Sequence, residues 1–108
     1  MHALLAAALE QTGQQIAALD AGDDDLFIER ASTHEAACLA VAALPPAVLA
    51  GETAALVTLI DATARLDAAI AARQATATRR LAALAVSRHA NAAYGSGTPV
   101  ASYPTQQA

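Results

Sequence analysis

The side chains able to do chemistry are few and fall in three places. His34 and Cys38 stand one helical turn apart, so a helix would put imidazole and thiol on one face, a geometry that two ligands of a metal ion could use. Two ligands do not complete a site, and His2 and His89 lie far off with no second cluster beside them. The pair therefore reads as a small buried cysteine beside a partly exposed histidine, with no metal expected. Asp23-Asp24-Asp25 lacks the spaced oxygen ligands and closing glutamate of a calcium loop and reads as a helix cap and first turn. The third place is cationic: lysine is absent, and five of the six arginines lie between Arg65 and Arg88. In RRLAALAVSRHANAAYG, Arg79, Arg80 and Arg88 surround a narrow apolar strip of Leu81, Leu84 and Ala85. Spacing alone fits a solvated helix face as well as a clamp on a partner. Asp61 and Arg65, at i and i+4, form an ordinary helix-surface pair.

Catalytic patterns do not emerge from these residues. The chain has no glycine-rich phosphate loop, no Ser/His/Asp set and no paired catalytic carboxylates. LIDATARLDAAIAARQ is similar to the first helix of chorismate mutases, but that activity needs several cationic groups around a dicarboxylate, usually one lysine among them. We therefore expect no enzyme and no cofactor. The net charge of -4 hides an asymmetry: residues 1–52 hold eight acids against Arg30, a formal -7, whereas residues 53–108 hold five arginines against Asp61 and Asp67, a formal +3. Such segments favour folding the second back on the first, or docking it on an acidic partner. An acidic whole without lysine and with 3% aromatics argues against nucleic-acid binding.

The elements that must position these groups are helical. Leu5, Leu9, Ile16 and Leu19 recur with helical spacing, with Gln11, Gln14, Gln15 and Asp20 between them, predicting an amphipathic helix over 2–20. Gly22 ends it and Asp23–Asp25 start the next, which runs over 24–43, buries Phe27, Ala31, His34, Cys38, Val41 and Leu44, and stops at Pro45-Pro46. After PAVLAGE, which can itself form a helical turn, nothing breaks the pattern over 53–93. At 1.5 Å per residue this third helix spans about 60 Å, twice the length of either of the others. Its seam reads Leu56, Ile60, Thr63, Leu66 and Ile70, then weakens through ARQATATRR, where a bend is expected. The fold class is thus all-α: a helical hairpin packed on a long third helix, a three-helix bundle whose C-terminal helix is bent or exposed. Residues 1–95 form the bundle domain, and SGTPVASYPTQQA (96–108) a flexible tail. The 56% hydrophobic content is mostly alanine, which removes little apolar surface from water, so stability should be modest. One cysteine, no targeting signal and no stretch of about 18 apolar residues lead us to expect a soluble cytoplasmic protein with no membrane span.

The order of these features resembles a known family. A leucine/glutamine-rich first helix, the turn LDAGDDDLFIER, a second helix with Glu29-Arg30, a proline break and a long helix reading IDATARLDAAIAARQ…RRLAALAVSRHANAAYG together resemble the flagellar type III export chaperones of the FliT/FlgN type. An acidic Gly-Asp after the first helix and an arginine-containing stretch before an Ala-Tyr pair, here Arg88 and Ala93-Tyr94, carry the likeness over residues 1–95. The resemblance implies a non-catalytic cytoplasmic chaperone that binds the helical end of a filament-cap or hook-associated protein, prevents premature assembly and delivers it to an export apparatus component. The surface expected to hold such a client comprises Arg80, Leu81, Leu84, Arg88 and Tyr94. The alternative, from a different class, is a non-catalytic homodimeric helical adaptor or structural module, in which the exposed half of the long helix pairs with its own copy.

Overall fold

Local punctuation sets the helix boundaries. The structure, a computed structural model, describes residues 1–95, with side chains described as far as Ala92; the expected tail over 96–108 lies outside the described residues. Every element in it is a helix: α1 (Ala3–Asp20), α2 (Asp24–Ala42), α3 (Pro46–Ala50) and α4 (Thr53–Gly95), and no strand occurs among the described residues. The protein is all-α, and the connection before the long helix is a helix of its own. No helix among the described residues is long and apolar enough to cross a membrane.

α1 begins with its own side-chain cap, His2 Nδ1 accepting from the Leu4 N–H at 3.1 Å. Its first turn has no acid, but the Glu52 carboxylate, from the junction of α3 and α4, accepts the His2 N–H. An anion at a helix N-terminus is stabilised by the exposed N–H groups and the macrodipole. The chain's start is thereby tied to the start of α4. At the other end Gly22 adopts φ 71, its N–H bonds the Leu19 carbonyl and the Asp23 N–H bonds the Ala18 carbonyl at 2.9 Å. This paired closure needs a left-handed residue, which glycine adopts without a Cβ penalty. Asp23 then caps α2 through Oδ1 to the Leu26 N–H at 3.1 Å, with Asp24 and Asp25 in the first turn. Pro45 and Pro46 stop α2 and start α3, where Pro46 sits in the first turn and its missing N–H costs nothing.

The chain divides into two units, Met1–Ala72 and a second beginning at Arg73. In the first, α1 and α2 form an antiparallel hairpin, and Leu5 and Ala8 of α1 cluster with Val41 of α2 and Ala55 and Leu59 of α4. Leu49 of α3, Leu9, Ala37 and Leu56 pack around them. The buried face of α1 runs Leu5, Ala8, Thr12, Gln15, Leu19, and that of α4 runs Ala55, Leu59, Ala62, Leu66. Steps alternating between three and four keep a seam facing its neighbour.

These faces correct two expectations. Gln15, expected among the polar positions, is 1% exposed, because its Nε2 donates to the Phe27 carbonyl at 3.0 Å and so satisfies part of its amide inside. Ile60, expected in the seam of the long helix, is 67% exposed; Leu59 holds the inner position, while Leu56, Thr63 and Ile70 are half-buried. The α2 face is nearer expectation: Val41 is buried and Phe27, His34, Cys38 and Leu44 are half-buried, but Ala31 is exposed. Large side chains misled because half of the inner seam of α4 is alanine, and alternating small and large residues let helices approach closely.

Two substitutions on α4 distinguish its faces. Leu66, 3% exposed, should lose about 2–5 kcal/mol on Leu66→Ala, whereas Ile60→Ala at low protein concentration should cost less than about 0.5 kcal/mol. Urea titrations followed by circular dichroism give both values. A larger loss at Ile60 than at Leu66 would reverse the assignment of the inner face.

Candidate functional site

The second unit presents the arginine-flanked strip on a helix that is unbroken through Ala72–Arg80. At about 100° per residue, Arg80, Leu84, Arg88 and Leu81 fall within an arc of about 100°, and Arg80 and Arg88 stand about 12 Å apart along the axis. All four side chains are exposed, Leu81 by 68% and Leu84 by 51%. Arg79 lies on another side, where its guanidinium donates to Thr76 Oγ1 at 3.2 Å, and Val86, also exposed, points away from the strip. Four of the five residues expected to bind a partner are therefore brought to one face. The fifth, Tyr94, belongs to α4, but its side chain lies outside the described residues.

A second cluster lies between α1 and α2. Thr12 Oγ1 donates its one hydrogen to the Ala8 carbonyl at 2.8 Å, so its 3.1 Å contact with His34 Nε2 places a proton on that nitrogen. Cys38 Sγ, 3.5 Å from the same Nε2, is then a weak acceptor. Thr12 is fully buried, His34 and Cys38 half-buried. The spacing of His34 and Cys38 was legible in the sequence; their partner was missed, since Thr12 sits 22 residues away on another helix. Among the described residues no group of three or more His, Cys, Asp or Glu is placed to hold a metal ion. Burial pushes the Cys38 thiol up from its ordinary value. A half-buried thiol held in its neutral form is a weaker nucleophile than a free one at neutral pH.

Near the hairpin turn, a cleft of about 230 Å³ is lined by Ala17, Ala18, Ala21 and Leu26, with Gln14, Asp23 and Arg30 at its polar edge. Arg30 donates to Gln14 Oε1 across the two helices. The acidic triplet beside it is occupied in starting α2, as the sequence indicated.

Charge divides at the boundary between the units. Met1–Ala72 contains all ten acids and two of the six arginines, a formal -8, whereas from Arg73 onward there are four arginines and no acid. Arg80 and Arg88 make no hydrogen bond or ion pair among the described residues, and the ion pair of Asp61 with Arg65 at 3.7 Å is exposed on both sides. An exposed pair of this kind contributes at most about 1 kcal/mol. Compared with protein-family models, curated proteins and solved structures, the chain matches none.

The Cys38 environment has a measurable consequence. Because the folded protein favours the neutral thiol, the associated stability is present below the unfolded thiol's pKa and is lost as pH rises through the folded value. The pH midpoint of iodoacetamide alkylation should therefore lie higher for native protein than for protein in urea. A native midpoint at or below the unfolded one would contradict the partial burial of Cys38 beside His34 and Thr12.

Proposed function

We propose that this chain is a non-catalytic helical chaperone whose α1, α2 and proximal α4 form a three-helix bundle, and whose distal α4 holds an amphipathic helix of a client protein. The observation that carries this reading is the exposure of Leu81 and Leu84 between Arg80 and Arg88 on a segment without acids. Burying a leucine side chain contributes about 1.5–3 kcal/mol, so two anchors can supply the core of a helix-in-groove contact. Arginines at the rim would steer an acidic client and set orientation more than affinity.

In the setting suggested by the likeness to FliT/FlgN-type proteins, the client is the helical end of a flagellar filament-cap or hook-associated protein. The chaperone keeps that end from polymerising in the cytoplasm and passes it to an export apparatus component. The resemblance supports the client's class; the charge and exposure of the strip support the mode of binding.

Titration calorimetry with helical client peptides tests this. Leu81→Asp/Leu84→Asp should abolish binding while the circular dichroism spectrum and melting temperature persist. Arg80→Glu/Arg88→Glu should slow association and flatten its salt dependence. Normal binding by both variants would return the arginines to a solvated helix face.

A further inference from the structure

Within Met1–Ala72, α4 is apolar on two sides. Its inner seam is buried against the hairpin, yet Val57 and Ile60 are 60% and 67% exposed, and Ala64, Ala68 and Ala71, all exposed, continue their row. At about 100° per residue these five side chains share an arc of about 80°, centred about 170° from the inner seam, where a solvated helix carries polar residues. The row runs for about 21 Å along the helix. It is graded in size, with the two large side chains at its start and alanine at each later position. Asp61 and Arg65, 3.7 Å apart, border it on one flank, and Asp67 borders it on the other.

A row that is large at one end and small at the other packs evenly against a copy of itself running the opposite way. Two copies in parallel would meet at Val57 and Ile60 and gape along the alanines. In an antiparallel pair centred on Ala64, Val57 of each copy lies opposite Ala71 of the other and Ile60 opposite Ala68, so every large side chain meets a small one. The charges obey the same symmetry. A two-fold axis between antiparallel helices brings the same flank of each side by side, and Arg65 of one copy then lies about 3 Å along the axis from Asp61 of the other. Four charges alternate in sign around the axis. The pair within each chain persists, because its contact engages one of five guanidinium N–H groups and one of two carboxylate oxygens, and Arg65 and Asp61 are 62% and 74% exposed. We propose that this chain forms a two-fold antiparallel dimer through the outer α4 face at Val57–Ala71, with Ala64 at the axis. The contact is isologous and closes at two. Each hairpin, packed on the inner seam, lies on the far side of its own helix. The contact falls wholly within Met1–Ala72 and uses no residue of the distal strip, so it is independent of the client reading. Five small or medium side chains per copy fall short of the roughly 800 Å² per partner of a standard interface, so the dimer should dissociate at micromolar dilution.

Sedimentation equilibrium of the full chain, with no client present, tests the dimer. The mass should rise with concentration from 10.9 kDa to twice that value, and Val57→Asp/Ile60→Asp should hold it at the monomer with unchanged helical circular dichroism. Oxidative cross-linking in a Cys38→Ser background reads the sense of pairing. Ala64→Cys should link to itself, and Val57→Cys mixed with Ala71→Cys should give the mixed dimer, whereas Val57→Cys alone should give none. Asp61→Arg and Arg65→Asp should each weaken the dimer about tenfold, and combining them in one chain should restore it to within about threefold. A chain that stays monomeric at near-millimolar concentration, a dimer indifferent to Val57→Asp/Ile60→Asp, self-linking of Val57→Cys, or a charge exchange without recovery would each overturn the proposal.

Discussion

The α1–α2 hairpin is held in register by polar contacts, and the remaining surfaces of Met1–Ala72 depend on that register. Apolar burial is non-directional, and alternating alanine and leucine would tolerate a slip better than a core of large interlocking side chains. Three crossings exclude the slip: Gln14 with Arg30, Gln15 with the Phe27 carbonyl, and Thr12 with His34. A shift of one helical turn would strip buried Gln15 of its bond to the Phe27 carbonyl, at about 1–3 kcal/mol, and would part buried Thr12 from His34, leaving it only the Ala8 carbonyl of its own helix. Gln15 Oε1 already lacks a partner among the described residues, so the arrangement trades some stability for a defined alignment.

From that alignment the placement of α4 follows. With Leu5 and Ala8 set against Val41, the start of α1 lies where the Glu52 carboxylate can accept the His2 N–H. Ala55 and Leu59, one turn further on, then complete the cluster. The side of α4 turned to the hairpin is consumed by this packing. Its outer face, with Val57 and Ile60, and the strip at Leu81 and Leu84 remain for contacts that the described chain does not make with itself. Function in this protein is therefore read from what α4 leaves uncovered.

The helix boundaries were legible because the residues that set them act locally. Gly22, Asp23 and Pro45-Pro46 mark ends that agree with expectation within a residue or two, since left-handed closure, capping and the missing proline N–H need no tertiary information. The faces were less legible. Leu9 and Ile16 flank the α1 seam that Ala8, Thr12 and Gln15 fill, and Ile60 lies outside the one that Leu59 occupies. In a chain this rich in alanine, the largest side chains need not mark the closest helix contacts. The strip on distal α4 was found from charge and spacing, which are properties of one helix. The outer face at Val57 and Ile60 was missed because it required knowing which side of α4 the hairpin takes.

The central claim is that α4 is supported from within up to about Leu66 and needs a partner beyond Thr76. Hydrogen exchange measured along α4 over a range of client-peptide concentrations tests it most directly. Amides over 55–66 should be protected at every concentration, whereas those over 80–92 should exchange fast in dilute protein and gain protection as a client helix is added. Equal protection of both segments in dilute protein without a partner would contradict the account.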